Sequence, residues 1–142
     1  IGISNFLPEH IMALNETAEI KPMVNQIEFH PGYYQPALTK WCQDNGILVE
    51  AWSPLGCGKV LGDSVLSKIA AKYKKTVAHV CIRFALQSGV LPLPKSVHAD
   101  RIIDNTKVFD FELTDEDMLT IETLYPLGYS TYHPTEAPAD GL

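Results

Sequence analysis

The chain has 142 residues, 46% of them hydrophobic, with a formal net charge of -6 and a pI near 5.2. That balance argues against nucleic acid or an anionic membrane surface as partner, since both select a basic face. No apolar run reaches the roughly 18 residues of a membrane span, no signal-peptide pattern appears, and a chain of this size can bury roughly 68–70% of its unfolded surface in one domain.

Short apolar runs alternate with helical patterns along the chain, which predicts βα units around a parallel sheet. Ile1 to Ile3 reads as the end of a strand, and Pro8 to Ala18 as a helix with proline near its start, where a missing N–H costs nothing. Met23 to Ile27 is the second strand. Pro36 to Asp44 is a helix with Asn45-Gly46 as C-cap, and Ile47 to Ala51 a third strand whose continuous apolar character predicts burial on both faces. The connection Gly56 to Gly62 is glycine-rich and reads as a mobile loop. Asp63 and Thr76 cap helices to about Tyr73 and Gln87, the second with Val77, Val80, Cys81, Phe84 and Ala85 at helical spacing. Val90 to Leu93 is the fourth strand, Ala99 to Thr106 a helix, and Thr114 with Asp117 a capping box opening a last helix to Leu124. After Tyr125-Pro126 the tail is rich in Pro and Tyr without periodicity. Cys42, Cys57 and Cys81 are odd in number and lack CxxC spacing, which predicts free thiols in a reducing, cytoplasmic compartment.

The stretch from Leu93 to Asn105 carries the strongest chemical signal, because it reads as a buried strand running into the opening of a helix. Free backbone N–H groups and the positive end of the helix dipole favour an anion there. Lys95, Ser96 and Arg101 add two charges and a hydroxyl, and Arg101 and Asn105, one helical turn apart, share a face. A nucleotide phosphate suits this arrangement. A solvated basic patch is the weaker reading, since cations at a helix start oppose its dipole. Glu28 and His30 form a Glu-x-His pair, but no third ligand is spaced for a metal, so none is expected. His10, His79, His98 and His133 read as surface or helix residues without catalytic weight.

This stretch, together with Gly2-Ile3-Ser4-Asn5-Phe6, Asn25-Gln26-Ile27-Glu28-Phe29-His30-Pro31 and Ala51-Trp52-Ser53-Pro54-Leu55-Gly56, resembles the aldo-keto reductases. The four motifs stand in that family's order and spacing from the first residue to about residue 125. The resemblance implies a (β/α)8 TIM barrel, a fold of about 250 residues, of which this chain would carry only the second half: residues 1–125 as four parallel strands with their helices, and 126–142 as a tail. The chain opens inside a strand without an initiator Met and is expected to be a fragment, a processed product, or the second half of a chain whose first half is not in this sequence, with the family's catalytic Asp, Tyr, Lys and His outside it. No catalytic residue is therefore assigned. His30 belongs to the sixth-strand motif and does not stand for the tetrad histidine.

The same resemblance implies NADPH as cofactor and assigns site residues, all at strand C-terminal ends, where a parallel barrel builds its active face. Ser4, Asn5 and Gln26 would bond the nicotinamide carboxamide, and Trp52 would stack on its ring. Ser53, Pro54 and Leu55 would run beside the pyrophosphate. Lys95, Ser96 and Arg101 would hold the adenosine 2′-phosphate, and Asn105 the adenine. Taken without the family, Ser4 and Asn5 form a turn or cap before Pro8, and Trp52 is a core or rim aromatic. The expected activity is reduction of a small aldehyde or ketone to an alcohol by the complete barrel, with Tyr125, Tyr129 and Tyr132 near the substrate. Two open sheet edges predict self-association or pairing with the other half. The alternative is a noncatalytic nucleotide-binding or assembly half-barrel.

Overall fold

A computed structural model describes residues 1–130 and 133. Four strands, β1 (Gly2–Ser4), β2 (Val24–Glu28), β3 (Leu48–Trp52) and β4 (Leu91–Pro92), form one parallel sheet in chain order. The register pairs Ser4 with Gln26, Gln26 with Glu50, and Glu50 with Leu91. Neighbours in sequence are thus neighbours in the sheet, the winding of a barrel rather than of a doubly wound sheet.

Six helices complete the described chain: α1 (Pro8–Asn15), α2 (Pro36–Asp44), α3 (Ser64–Lys72), α4 (Val77–Gln87), α5 (Ala99–Asp104) and α6 (Asp115–Glu122). The buried residues of α1, α2, α3, α4 and α6 join the core on one face of the sheet, and α5 buries none. Asn25, Ile27, Val49 and Ala51 lie on that covered face, with Phe29 stacked on Phe84 at 5.5 Å between ring centroids. The opposite face, carrying Gln26, Leu48, Glu50 and Trp52, stays partly open. Here the expectation of a third strand buried on both faces is corrected: Leu48 is 47% exposed, and Glu50 and Trp52 on the same face are only partly buried.

Capping explains the helix starts. Asp63 Oδ1 accepts from the N–H groups of Val65 and Leu66 at 2.8 and 2.9 Å. Thr76 Oγ1 accepts from His79 N–H at 3.3 Å while His79 Nδ1 accepts from Thr76 N–H at 3.2 Å, so histidine completes a reciprocal box. That use of Nδ1 leaves the Nε2 proton for the Asp104 carbonyl at 2.9 Å. His79 is therefore a buried structural residue of α4.

Several boundaries differ from expectation. α1 ends at Asn15, after which Thr17 and Ala18 turn back onto the Leu14 carbonyl. β4 is short and half exposed rather than a buried strand: Pro92 and Pro94 have no N–H to donate, so its ladder continues only through Leu93 N–H to Ala51 O at 3.0 Å. Gly56–Gly62 is not a loose loop but a kinked 3-10 segment, closed by Gly56 N–H to Ser53 O and Gly58 N–H to Leu55 O, both 2.8 Å. α5 ends at Asp104, two residues before the expected stop. The last helix is capped by Thr114, but Asp117 does not reach back to the Thr114 N–H. The Tyr73 hydroxyl accepts that N–H at 3.0 Å, and the Asp117 carboxylate instead accepts from Lys72, Tyr73 and Thr114.

After α6 the chain returns to the end of β2. Leu127 N–H donates to Gly32 O at 2.8 Å, and the Tyr129 ring lies 4.3 Å from that of Tyr33. Tyr132 lies outside the described residues. No helix among the described residues is long and apolar enough to cross a membrane.

Candidate functional site

The residues singled out in the sequence gather at the C-terminal ends of the strands in two adjoining groups. In the first, Asn5 continues the β1–β2 ladder through its N–H to Gln26 O at 2.9 Å, with a left-handed φ of 57° that asparagine tolerates better than most residues. Its side-chain oxygen accepts the Trp52 indole N–H at 2.8 Å across the intervening strand. Ser4 Oγ donates to Gln26 O at 3.1 Å, and Gln26 Nε2 donates to Glu50 Oε2 at 2.9 Å. These bonds use the Asn5 oxygen and a Gln26 donor, leaving Asn5 Nδ2 and Gln26 Oε1 for another partner. The turn or cap reading of Ser4 and Asn5 gives way to a strand-end role, because Leu7 is the N-cap of α1.

The second group surrounds a cleft of about 290 Å³. Ser53, Pro54 and Leu55, leaving β3, form one wall, and Leu93, Pro94 and Lys95, leaving β4, form the other. Ser53 turns the chain into it with φ 49°. Ser96, Arg101 and Asn105 are not in this lining. Ser96 Oγ accepts from His98 N–H at 3.1 Å, which orders the entry to α5, and Arg101 is exposed. The single strand-into-helix junction expected here is corrected to a strand, a six-residue loop and a six-residue helix with no buried residue. A helix that short offers little dipole. Any charge selection at this end falls to Lys95 and Arg101, which make no ion pair among the described residues.

Sequence reading passed over two contributors. Glu50 orients Gln26, which its register and period-two position beside Trp52 would have flagged. Cys57 lines the cleft, with Sγ 3.0 Å from Ser53 Oγ and 3.4 Å from Ser130 Oγ. Hydrogen bonding by Ser130 and then Ser53 holds its thiol below the ordinary value, against a smaller opposing effect of burial. Glu28 and His30, by contrast, are buried with Nε2 3.1 Å from Oε1. Among the described residues no group of His, Cys, Asp or Glu is arranged to hold a metal ion.

Residues 1–126 match the sequence model of the aldo/keto reductase family. The chain belongs to that family. Among other aldo-keto reductases it is 52% identical over 124 residues to the glyoxal reductase of Bacillus subtilis (strain 168), covering 87% of this chain and 45% of that one. A point mutant of the aldo-keto reductase neighbour Gox0644, solved in complex with NADPH, superposes with a TM-score of 0.82 at 44% identity over 86% of this chain and 45% of that one. The silkworm (Bombyx mori) aldo-keto reductase AKR2E5, complexed with NADPH, gives a TM-score of 0.85 at 32% identity over 93% and 44%. The chain thus spans less than half the length of these aldo-keto reductases, and its four βα units are part of a TIM-barrel fold.

Proposed function

We propose that this chain supplies the C-terminal half of an NADPH-dependent aldo-keto reductase that reduces small aldehydes or ketones to alcohols. On this reading residues 1–125 are the half-barrel and 126–142 a tail bordering the substrate. The observation that carries the proposal is the convergence of Ser53, Pro54, Leu55 and Lys95 on one cleft, directly beside the Trp52–Asn5 hydrogen bond.

The nicotinamide cofactor, when bound, supplies hydride to the carbonyl carbon. The residues present suit such a guest. A primary carboxamide needs a donor for its oxygen and acceptors for its N–H groups, and Asn5 Nδ2 and Gln26 Oε1 are the atoms left over from the internal bonds of the site. Ser4 stands beside them. Trp52, half-buried and fixed at its N–H, offers a ring face for stacking. Backbone groups of Ser53, Pro54 and Leu55 line the path for a pyrophosphate. Lys95, Ser96 and Arg101 are assigned to a 2′-phosphate and Asn105 to the adenine, so two cations would favour NADPH over NADH.

The proton for the alkoxide comes, in this proposal, from the other half of the barrel, and the chain alone turns nothing over. It would pair with that half, or with a second copy, through the edges at β1 and β4. Three unpaired cysteines support a reducing compartment and hence the cytoplasm.

The test is a tryptophan-fluorescence titration of this chain with NADPH and NADH, followed by NADPH oxidation with glyoxal as carbonyl. The expected result is saturable quenching, stronger with NADPH, and no oxidation. Absence of quenching overturns the cofactor assignment, and oxidation by the chain alone overturns the division of labour. The half-covered sheet favours one other reading, a noncatalytic assembly module. Persistent inactivity after the first half of the barrel is supplied would favour it.

A further inference from the structure

Glu28 and His30 sit at the end of β2 with no more than 1% of either side chain exposed. Burying a carboxylate and an imidazole costs free energy that an apolar pair of similar volume would not. His30 Nδ1 lies 2.8 Å from Pro31 O and can only donate there, while Nε2 faces Glu28 Oε1 at 3.1 Å. The same Oε1 accepts the backbone N–H of Ser130 at 2.9 Å, 102 residues further along the chain. The His30 ring in turn floors the 3-10 turn: a Cβ on Gly56 would lie 3.3 Å from Cε1 and Nδ1, and Gly56 has φ +53°.

Ser130 is held from its other side by that same turn. Lys59 Nζ donates to Ser130 O at 3.3 Å, and Cys57 Sγ lies 3.4 Å from Ser130 Oγ. We infer that Glu28 and His30 are positioning residues: as one buried unit they pin Leu127–Ser130 to the Gly56–Lys59 turn, so that the Cys57–Gly58 wall of the cleft and the C-terminal segment keep one relative placement. Nothing in the chemistry of the cleft itself requires the pair. Its effect is exerted through Ser130 and Gly56, and burial elsewhere in the core would not need a carboxylate aimed at a backbone N–H. The inference rests on the proposed function only for its consequence, that a substrate beside the cofactor meets a fixed wall.

The experiment is amide hydrogen exchange on this chain, without cofactor, in the wild type, Ser130→Pro, Glu28→Leu and Glu28→Gln. Ser130→Pro deletes the donor at the surface and spares the core. Exchange across 56–59 should accelerate by roughly ten- to 150-fold in Ser130→Pro and in Glu28→Leu, the range expected for one lost hydrogen bond to a charged group. Glu28→Gln keeps an amide oxygen that can stand where Oε1 accepts the Ser130 N–H and faces His30 Nε2, and should restore protection. Unchanged exchange at 56–59 in Ser130→Pro overturns the inference, as does equal loss in Glu28→Gln and Glu28→Leu, the mark of a merely structural residue. If Glu28→Leu fails to fold, Ser130→Pro against Glu28→Gln decides alone. Because no cofactor is present, failure here leaves the cofactor reading intact, and a chain that binds no NADPH can still pass.

Discussion

Trp52 and Asn5, at the ends of strands that do not touch each other, are joined by an indole N–H to amide oxygen bond of 2.8 Å that passes over β2. The bond fixes the ring plane of Trp52 and selects which end of the Asn5 amide points outward. It is thus the hinge between the packing of the sheet and the proposed cofactor chemistry.

Replacing Trp52 by Phe keeps an aromatic face and deletes only the donor. The freed Asn5 oxygen is not fully buried and can meet water, so the expected cost is about 0.5–1.5 kcal/mol, measured as a shift in the urea midpoint. Asn5→Ala removes the same bond and in addition places an ordinary residue at φ 57°, a conformation that costs about 1–2 kcal/mol more. The alanine variant should therefore be the less stable of the two. Equal stabilities would mean that the left-handed turn relaxes.

Asp117 is the anchor of α6. Burial opposes its ionisation, but hydrogen bonds from Lys72, Tyr73 and Thr114 outweigh it and leave the carboxyl below its ordinary value. A depressed folded-state value means that this stabilisation is fully present above the unfolded value near 4 and disappears as pH falls through the folded one. Asp117→Asn should cost about 1.5–3 kcal/mol at pH 7, and the gap to wild type should narrow below pH 4. Urea unfolding at pH 7 and pH 3 checks both statements. A gap independent of pH would show that shape, not charge, makes the anchor.

The three thiols should separate by reactivity. Burial raises the Cys42 thiol and pushes Cys81 up to about 12, while hydrogen bonding lowers the exposed Cys57. Iodoacetamide at pH 7.5 should modify Cys57 first and leave the other two unmodified in the folded chain, as read by peptide mass spectrometry. Early labelling of Cys42 would indicate opening of the core beside α2.

The order of elements was legible in the sequence because each strand-helix alternation carries its own apolar period and its own cap: Asp63, Thr76 and Thr114 each cap the helix they precede. Burial was less legible. Leu48 and Leu91 read as core, yet their exposure depends on what faces them, which no local pattern encodes. The burial of His79 within its helix was illegible for a related reason, since its box with Thr76 is local but its third partner, Asp104, comes from another element. At the site, the strand-end positions of Ser4, Gln26 and Trp52 and the grouping of Ser53 with Lys95 were legible through the family resemblance and the barrel face it implies. Cys57 and the Glu28–Ser130 bond depend on a kinked turn and a returning tail, neither of which has a periodicity to read.

Arg101 offers the sharpest functional discrimination. It lies exposed on a helix that buries no residue, so Arg101→Ala should leave the unfolding midpoint within about 0.5 kcal/mol of wild type. If it meets a 2′-phosphate, removing it should weaken NADPH binding by about 1.5–3 kcal/mol, the range for a hydrogen bond to a charged group, or roughly ten- to 150-fold. NADH carries a hydroxyl in place of that phosphate, and its affinity should scarcely change. The two titrations, run on the same variant at one fixed ionic strength because such contacts are screened, give a ratio that general damage to the site cannot produce. Equal losses for both cofactors would remove Arg101 from the phosphate site and leave Lys95, on the wall of the cleft, as the residue to test next.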